Sequence, residues 1–201
     1  THIFKLPVGQ MPGGIDLSTS VENEWLSHRL LQAFDIPVAS AEIVQFGEMK
    51  ALCVERFDRC WLADGRLLRL PQEDFAQGFG VPPDSKYESQ GGTGIRPIFD
   101  QLNGSRQATI DRRDFFRTQV LLWMLAAIDG HAKNFSVFIE PRGFYRLTPR
   151  YDVLSAHPVM GHGAGRLAAQ NVRMDMAVAG RNRLSRWAEI QSEHSVEIAQ
   201  D

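Results

Sequence analysis

The stretch W-M-L-A-A-I-D-G-H-A-K-N-F-S-V-F-I, residues 123–139, decides the fold. It closes a long apolar helix, read over Asp111–Ile128, with Phe115, Val120, Leu121, Met124, Leu125 and Ile128 spaced to face a core. The period then breaks at Asp129-Gly130-His131-Ala132-Lys133-Asn134, a compact polar loop. A β-rich segment from Phe135 follows. Ser136–Glu140 and Phe144–Leu147 read as two strands turned by Pro141-Arg142-Gly143, because glycine supplies the backbone freedom a tight hairpin needs. Just past the hairpin lies a second acidic loop, Tyr151-Asp152-Val153-Leu154-Ser155.

Asp129, Asn134 and Asp152 therefore fall in order on loops joined by a short hairpin. An Asp five residues before an Asn, with another Asp beyond, is the order of kinase catalytic loops. There the first Asp receives the proton of the attacking hydroxyl, and the Asn and second Asp hold a metal ion. The physical reason is charge. Nucleotide phosphates arrive with Mg²⁺, a hard cation that prefers oxygen ligands. A carboxylate and an amide oxygen from separate loops can close such a site, while a further carboxylate faces the nucleophile.

Outward from this stretch, residues 2–8 read as a strand with one charge, Lys5, inside an apolar run. Alone, a strand lysine reads as a solvated edge residue. Gly9 to Ser18 is a Gly- and Pro-rich loop, and Ser18-Thr19-Ser20 opens a helix. Thr19 with Glu22 fits a capping box. Val21, Trp25, Leu26, Leu30, Leu31 and Phe34 give the helix one core face, and Glu22 and Glu24 lie in its first turns. Pro37 ends it. Ala41–Phe46 and Ala51–Glu55 read as antiparallel strands around Gly47-Glu48-Met49-Lys50.

Asp64-Gly65 marks a turn between Trp61 and Leu67. Pro71-Gln72-Glu73-Asp74 reads as the first turn of a helix, since Pro is tolerated there and acids suit the positive end of the dipole. Residues 80–94 form a polar loop. Its Gly91-Gly92-x-Gly94 lacks the Lys-Ser/Thr ending of a phosphate loop, so it reads as a turn before a helix at Ile95–Leu102. After Asp152, His157 to Gly165 reads as an activation-type loop rather than a metal site. Gln170 to Ala179 contains a short strand. Arg181-Asn182-Arg183 is basic, and Arg186 to Ala199 reads as a closing helix.

Composition narrows the class. At 201 residues, 43% hydrophobic and 23% charged, the chain can bury a proper core as one large domain or two lobes. A net charge of −2 removes any chain-wide pull toward nucleic acid or anionic lipid. Arginine far outnumbers lysine, which suits phosphate contacts. The two cysteines, Cys53 and Cys60, read as inert thiols in a reducing compartment. No stretch is apolar for long enough to span a membrane and no targeting segment opens the chain. The expected location is the cytoplasm.

D-G-H-A-K-N-F-S with Y-R-L-T-P-x-Y-D-V-L-S resembles the HipA toxin-type serine/threonine kinases of bacteria. The resemblance extends through V-E-R-F-D-R (54–59), L-L-R-L-P-Q-E-D (67–74) and K-Y-E-S-Q-G-G-T-G (86–94) back to T-H-I-F-K-L-P (1–7). The D-x-H-x-x-N string also looks like the phosphoinositide kinases, a related fold. The resemblance implies an α+β, bilobal protein-kinase-like fold. A small β-rich N-lobe would run over 1–57 to the hinge, and a mainly helical C-lobe over 58–201. It also implies more chain on both sides, including the loop that covers the phosphates.

For the site it implies ATP and Mg²⁺, with Asp129 as the base and Asn134 and Asp152 as the metal-holding pair. Lys5 would grip the phosphates, with Glu22 or Glu24 as its partner, and Glu55 and Phe57 would lie at the adenine. His131 stands where ordinary protein kinases often carry a Lys. Either His131 or Lys133 is the candidate for γ-phosphate contact, unless His131 only shapes the loop. Val153-Leu154 after Asp152 departs from the usual Phe-Gly, which removes the usual Phe-driven switch. The implied partners are a HipB-like DNA-binding antitoxin, operator DNA through that complex, and a protein substrate such as glutamyl-tRNA synthetase, with phosphorylation of a Ser of the kinase itself. A small-molecule or lipid kinase and a kinase-like binding module without catalysis are the alternatives. A lipid kinase should show a basic or apolar membrane face, and none is evident, while the binding module sits badly with a full set of polar residues.

Overall fold

In the computed structural model, residues 1–178 and 184–194 are described. The chain opens with β1 (His2–Lys5), a two-residue ladder of β2 (Gly9–Gln10) and β3 (Asp16–Leu17), and α1 (Ser20–Ala33). A hairpin of β4 (Ala41–Phe46) and β5 (Met49–Glu55) follows. The central strand is β5, with β1 and β4 antiparallel on either side; Lys5 lies opposite Leu52 and Phe46 opposite Met49. That register leaves Gly47 and Glu48 as the turn, and Gly47 takes the left-handed conformation that L side chains disfavour. β5 is central because its Ala51, Leu52, Cys53 and Val54 are all buried. Leu52 and Val54 pack with Val21 of α1 and Ala39, and Trp25, Phe57 and Tyr151 border them.

Helix α1 differs from its expected form in two ways. Thr19 makes no side-chain cap, since its φ −94, ψ 16 is not the extended backbone a capping hydroxyl requires. Glu22 instead pairs with Lys50, and the Ser20 hydroxyl accepts from the Val8 amide at 2.9 Å. The buried face is also mostly polar. Ser20, Glu24, Ser27 and His28 are buried beside Val21 and Leu31, while Leu26, Leu30 and Phe34 are exposed.

Next comes the exposed hairpin β6 (Arg59–Trp61) and β7 (Leu67–Arg69), turned at Asp64-Gly65 as expected. Pro71–Asp74 does not begin a helix. β8 (Gln72–Asp74) pairs antiparallel with Ser136–Phe138, so the ladder takes these residues first. Asp74 then caps the short α2 (Phe75–Gly78) in a reciprocal capping box with Gln77.

Helices α3 (Ile95–Gln101) and α4 (Ala108–Met124) supply the larger core, in which Ile98, Leu102, Phe115, Leu122 and Phe135 meet. α4 starts three residues earlier than the sequence indicates and stops at Met124, because Ala126 adopts a positive φ of 47°. Met124 is consequently exposed rather than in the core. The hairpin β9 (Ser136–Ile139) and β10 (Tyr145–Leu147) completes a sheet of order β10-β9-β8.

β11 (Arg173–Val178) pairs with β12 (Leu184–Arg186), and Trp187–Glu189 is a single 3₁₀ turn where a closing helix is expected to begin. Arg181-Asn182-Arg183 and the end of that expected helix lie outside the described residues. Cys53 is buried and Cys60 exposed, both as free thiols. Among the described residues no helix is long and apolar enough to cross a membrane.

Candidate active site

The loop after α4 is closed by its own asparagine. The Asp129 carbonyl accepts from the Asn134 carboxamide at 2.7 Å and from the His131 amide at 3.0 Å, and residues Ala132–Asn134 wind into one 3₁₀ turn. Gly130 packs closely on α4: a β-carbon there would stand 2.8 Å from Leu122 Cδ1 and would force that buried side chain to move. This clamp leaves the Asp129 carboxylate 60% exposed, whereas Asn134 is buried. A buried amide bonded to backbone has one orientation, so the loop is held in place before any ligand arrives.

Asp152 is presented by the β9–β10 hairpin. Tyr151 before it is anchored by its hydroxyl, which donates to the Lys133 carbonyl at 3.0 Å and shares a contact with Ser136 Oγ, and its ring lies 5.6 Å from that of Phe57. Asp152 itself takes a positive φ of 58°, an unusual conformation for a side chain of this kind and one that recurs where function dictates geometry. Its carboxylate meets Lys5, whose ammonium lies 2.8 Å from Asp152 Oδ1 and 2.7 Å from Glu24 Oε1. Burial pulls the Lys5 pKa down, but the two carboxylates outweigh it and hold the group above its ordinary value. Of the two candidate partners on α1, Glu24 is the one that reaches Lys5. Beneath them the buried His28 is pushed down to about 4 by burial and by Lys5, so it is neutral near pH 7.

Asp129, Asn134 and Asp152 thus line one cavity of about 30 Å³, with Thr118, Phe135 and Arg150 in its wall. The donors Asn134 and Asp152 can offer are an amide oxygen and a carboxylate, the hard oxygen type that Mg²⁺ accepts, with phosphates and water to complete its shell. The pair therefore fits such an ion. No group of three His, Cys, Asp or Glu side chains placed to hold a metal ion exists among the described residues.

The other expected residues are placed less uniformly. His131 has only 7% of its side chain exposed, with Nε2 3.7 Å from Asp129 Oδ1 and no partner on Nδ1. Burial depresses its pKa, with the Asp129 charge opposing. Lys133 gives its carbonyl to Tyr151, and its ammonium forms no ion pair among the described residues. Phe57 packs between Phe138 and Tyr151, the residue before Asp152. Glu55 is exposed at the end of β5, its amide bonded to the Ser40 carbonyl, and is not brought to Asp129.

Sequence reasoning missed Lys86, whose ammonium lies 3.8 Å from Asp129 Oδ1, and Asp175 on β11. Burial first, and the Asp129 charge second, push the Asp175 carboxyl up to about 7. Asp129, Asp175 and Tyr87 also border a wide groove of about 990 Å³ that runs past Met11, Ile15 and Ser155.

The arrangement is that of a kinase-like α+β fold with its polar residues gathered at one cleft. The chain belongs to the family described as the HipA-like C-terminal domain, whose model matches residues 1–201. It is 37% identical over 157 residues to Y4mE of Sinorhizobium fredii, described by name only as a candidate kinase, covering 77% of this chain and 36% of that protein. It is 33% identical over 147 residues to the serine/threonine-protein kinase toxin HipA of Shewanella oneidensis, covering 67% of this chain and 34% of that one. Among solved structures, HipA of Shewanella oneidensis in complex with HipB and operator DNA superposes with a TM-score of 0.79 at 26% identity, over 100% of this chain and 45% of that one. The Helicobacter pylori proinflammatory kinase CtkA shares the fold at 12% identity and a TM-score of 0.55, covering 75% and 50% of the two chains. The chain spans about a third of the length of the curated relatives it matches.

Proposed function

We propose that this chain carries the nucleotide-binding and catalytic residues of an ATP-dependent protein serine/threonine kinase, the toxin half of a toxin–antitoxin module. The observation that carries the reading is the meeting of Asp129, Asn134 and Asp152 at one cavity, with Lys5 held between Glu24 and Asp152. In this reading residues 1–57 form most of a small N-lobe and residues 58–201 the C-lobe. The adenine lies at the crossing, against Glu55 and Phe57.

Catalysis in such a site is mostly positioning and charge neutralisation. Asp129 accepts the proton of the acceptor hydroxyl, and its exposed carboxylate suits that task. The hydroxyl oxygen bonds to the γ-phosphorus as the bond to the β–γ bridging oxygen breaks, and ADP leaves with that electron pair. Lys5 holds the α- and β-phosphates, Glu24 fixes Lys5, and Asn134 braces Asp129 through its carbonyl. Asn134 and Asp152 would hold Mg²⁺, which supplies charge neutralisation at the phosphates when bound. The wide groove beside Asp129 gives an acceptor room to reach the carboxylate. The resemblance supplies the finer terms: a HipB-like antitoxin, indirect operator DNA contact, a translation protein such as glutamyl-tRNA synthetase as substrate, self-phosphorylation, and a cytoplasmic setting.

The test is transfer of label from γ-labelled ATP with Mg²⁺ by the full-length protein, wild type against Asp129→Asn. Label on protein that disappears in Asp129→Asn is expected. Labelled lipid with unlabelled protein, or transfer that survives Asp129→Asn, would overturn the reading.

A further inference from the structure

Lysine is scarce in this chain, with only Lys5, Lys50, Lys86 and Lys133. Lys5 is held at Glu24 and Asp152 and Lys50 at Glu22, while the Lys133 ammonium forms no ion pair among the described residues. Lys86 comes from the polar loop whose glycines resembled a phosphate loop and matched none, and it is the lysine that faces Asp129.

The loop is built to hold it there. Gly92 folds back so tightly that a β-carbon would stand 2.7 Å from the Ser85 and Tyr87 carbonyls and 2.8 Å from that of Lys86. The Gly92 amide closes the ring on the Tyr87 carbonyl at 2.8 Å. Just after Lys86 the Tyr87 ring lies 5.8 Å from that of His131 in the catalytic loop. The next residue, Glu88, accepts from the Ala177 amide of β11 at 2.5 Å. The Lys86 ammonium sits 4.4 Å from the Tyr87 ring centroid, which favours a cation over its face. A loop braced at the catalytic loop and at β11 fixes the charge without spending binding energy on ordering it.

The contact to Asp129 is long for a charge-assisted hydrogen bond, which runs near 2.8 Å. The ammonium is thus close to the carboxylate yet not committed to it. Phosphoryl transfer spreads negative charge over the equatorial oxygens, and a fixed cation there is worth orders of magnitude in rate.

We propose that Lys86 is a catalytic residue, which turns from Asp129 onto the γ-phosphoryl oxygens as the acceptor hydroxyl takes its place against Asp129. This rests on the kinase reading above. The acceptor oxygen forms its bond to the γ-phosphorus, the bridging oxygen leaves with ADP, the hydroxyl proton goes to Asp129, and Lys86 keeps its proton throughout. It neutralises charge and holds Asp129 until the acceptor arrives.

The experiment is single-turnover transfer from γ-labelled ATP by the full-length protein, alongside equilibrium ATP binding and the thermal midpoint. Lys86→Met keeps the aliphatic stem and removes the charge. The expected result is a transfer rate about 100-fold lower, with ATP affinity within about threefold of wild type and the midpoint held, and about a tenth or more of the rate regained in Lys86→Arg. Transfer by Lys86→Met within about threefold of wild type, while Asp129→Asn is inactive, overturns the role of Lys86 and leaves the kinase reading standing. Rate and ATP affinity falling together, with no regain in Lys86→Arg, overturns it too, because the lysine is then part of the fold or the nucleotide site. A wild-type protein that transfers no label refutes the kinase reading itself.

Discussion

Replacing Lys5 by Met probes the charge network that joins β1, α1 and the loop after the hairpin. Lys5 and Glu24 approach to 2.7 Å, with Glu24 only 5% exposed and Lys5 33% exposed on the side chain. At an effective dielectric of about 20 the gross attraction is about 6 kcal/mol, most of which offsets the cost of removing both groups from water. Asp152 is 43% exposed and adds little. We expect Lys5→Met to cost about 2 kcal/mol at neutral pH, chiefly because Glu24 is left buried without its cation. The sign in pH follows from the raised Lys5 pKa: the contribution is complete below the unfolded pKa near 10.5 and fades only as pH climbs through the folded value.

A second readout separates lost charge from lost packing. His28 sits one turn from Glu24, Nε2 to Oε1 3.7 Å, and is held down to about 4 by burial and by Lys5. Wild-type stability should therefore fall as pH drops from about 6.5 toward 4, where the unfolded chain binds the proton and the folded one does not. Without Lys5, the repulsion is gone and Glu24 is free to pair, so the His28 pKa should rise. Urea denaturation gives the first quantity and NMR titration of the His28 ring the second. A stability change under about 0.5 kcal/mol with His28 unmoved would refute the account of this network.

Further consequences are open to measurement. Gly130→Ala places a methyl 2.8 Å from Leu122 Cδ1 and should cost about 1–3 kcal/mol, with Leu122→Ala partly relieving it; a double-mutant cycle with no coupling would exclude the clash. Asp74→Ala removes the α2 capping box and should cost about 1 kcal/mol in urea melts, whereas Asp74→Asn should cost less. Asp175, with its carboxyl raised to about 7 by burial, favours the folded state below its unfolded pKa and loses that contribution as pH rises toward 7. Solvent access discounts the effect to about 1–2 kcal/mol, so Asp175→Asn should flatten the pH dependence of stability between pH 4 and 7, and an unchanged profile would count against the burial argument.

Which features could be read from the chain, and which could not, follows from the range over which each is encoded. The strand at Ala41–Phe46, the one expected over Ser136–Glu140 and found at Ser136–Ile139, and the glycine turns are written within a few residues; Asp129, Asn134 and Asp152, also legible in order, line one cavity. The same local signals misled at Pro71–Asp74, because Pro and acids mark a helix start and an edge of a ladder alike. Only pairing with Ser136–Phe138, far along the chain, decides for strand. Helix α1 misled for a related reason. Periodicity ranks Leu26 and Leu30 as core, but burial went to polar residues of the helix, among them Glu24, which Lys5 of β1 meets there.

The cleft explains why its own residues escape a pattern reading. A core is signalled by repetition of one chemical type, whereas a site for charged phosphates needs unlike groups delivered singly from separate elements. Lys5 comes from a strand, Glu24 from a helix, Asp152 from a strained loop and Lys86 from a glycine-braced turn. Each is uninformative in its own segment, where a lone lysine or glutamate reads as surface. The one partial signal for Lys86 was available: three glycines within four residues, 91 to 94, are more than a connecting turn requires. A β-carbon at Gly92 would stand under 3 Å from the carbonyls of residues 85–87, and one at Gly94 would meet the Glu88 carboxylate, so the loop that carries Lys86 can fold this closely only with glycine at those places.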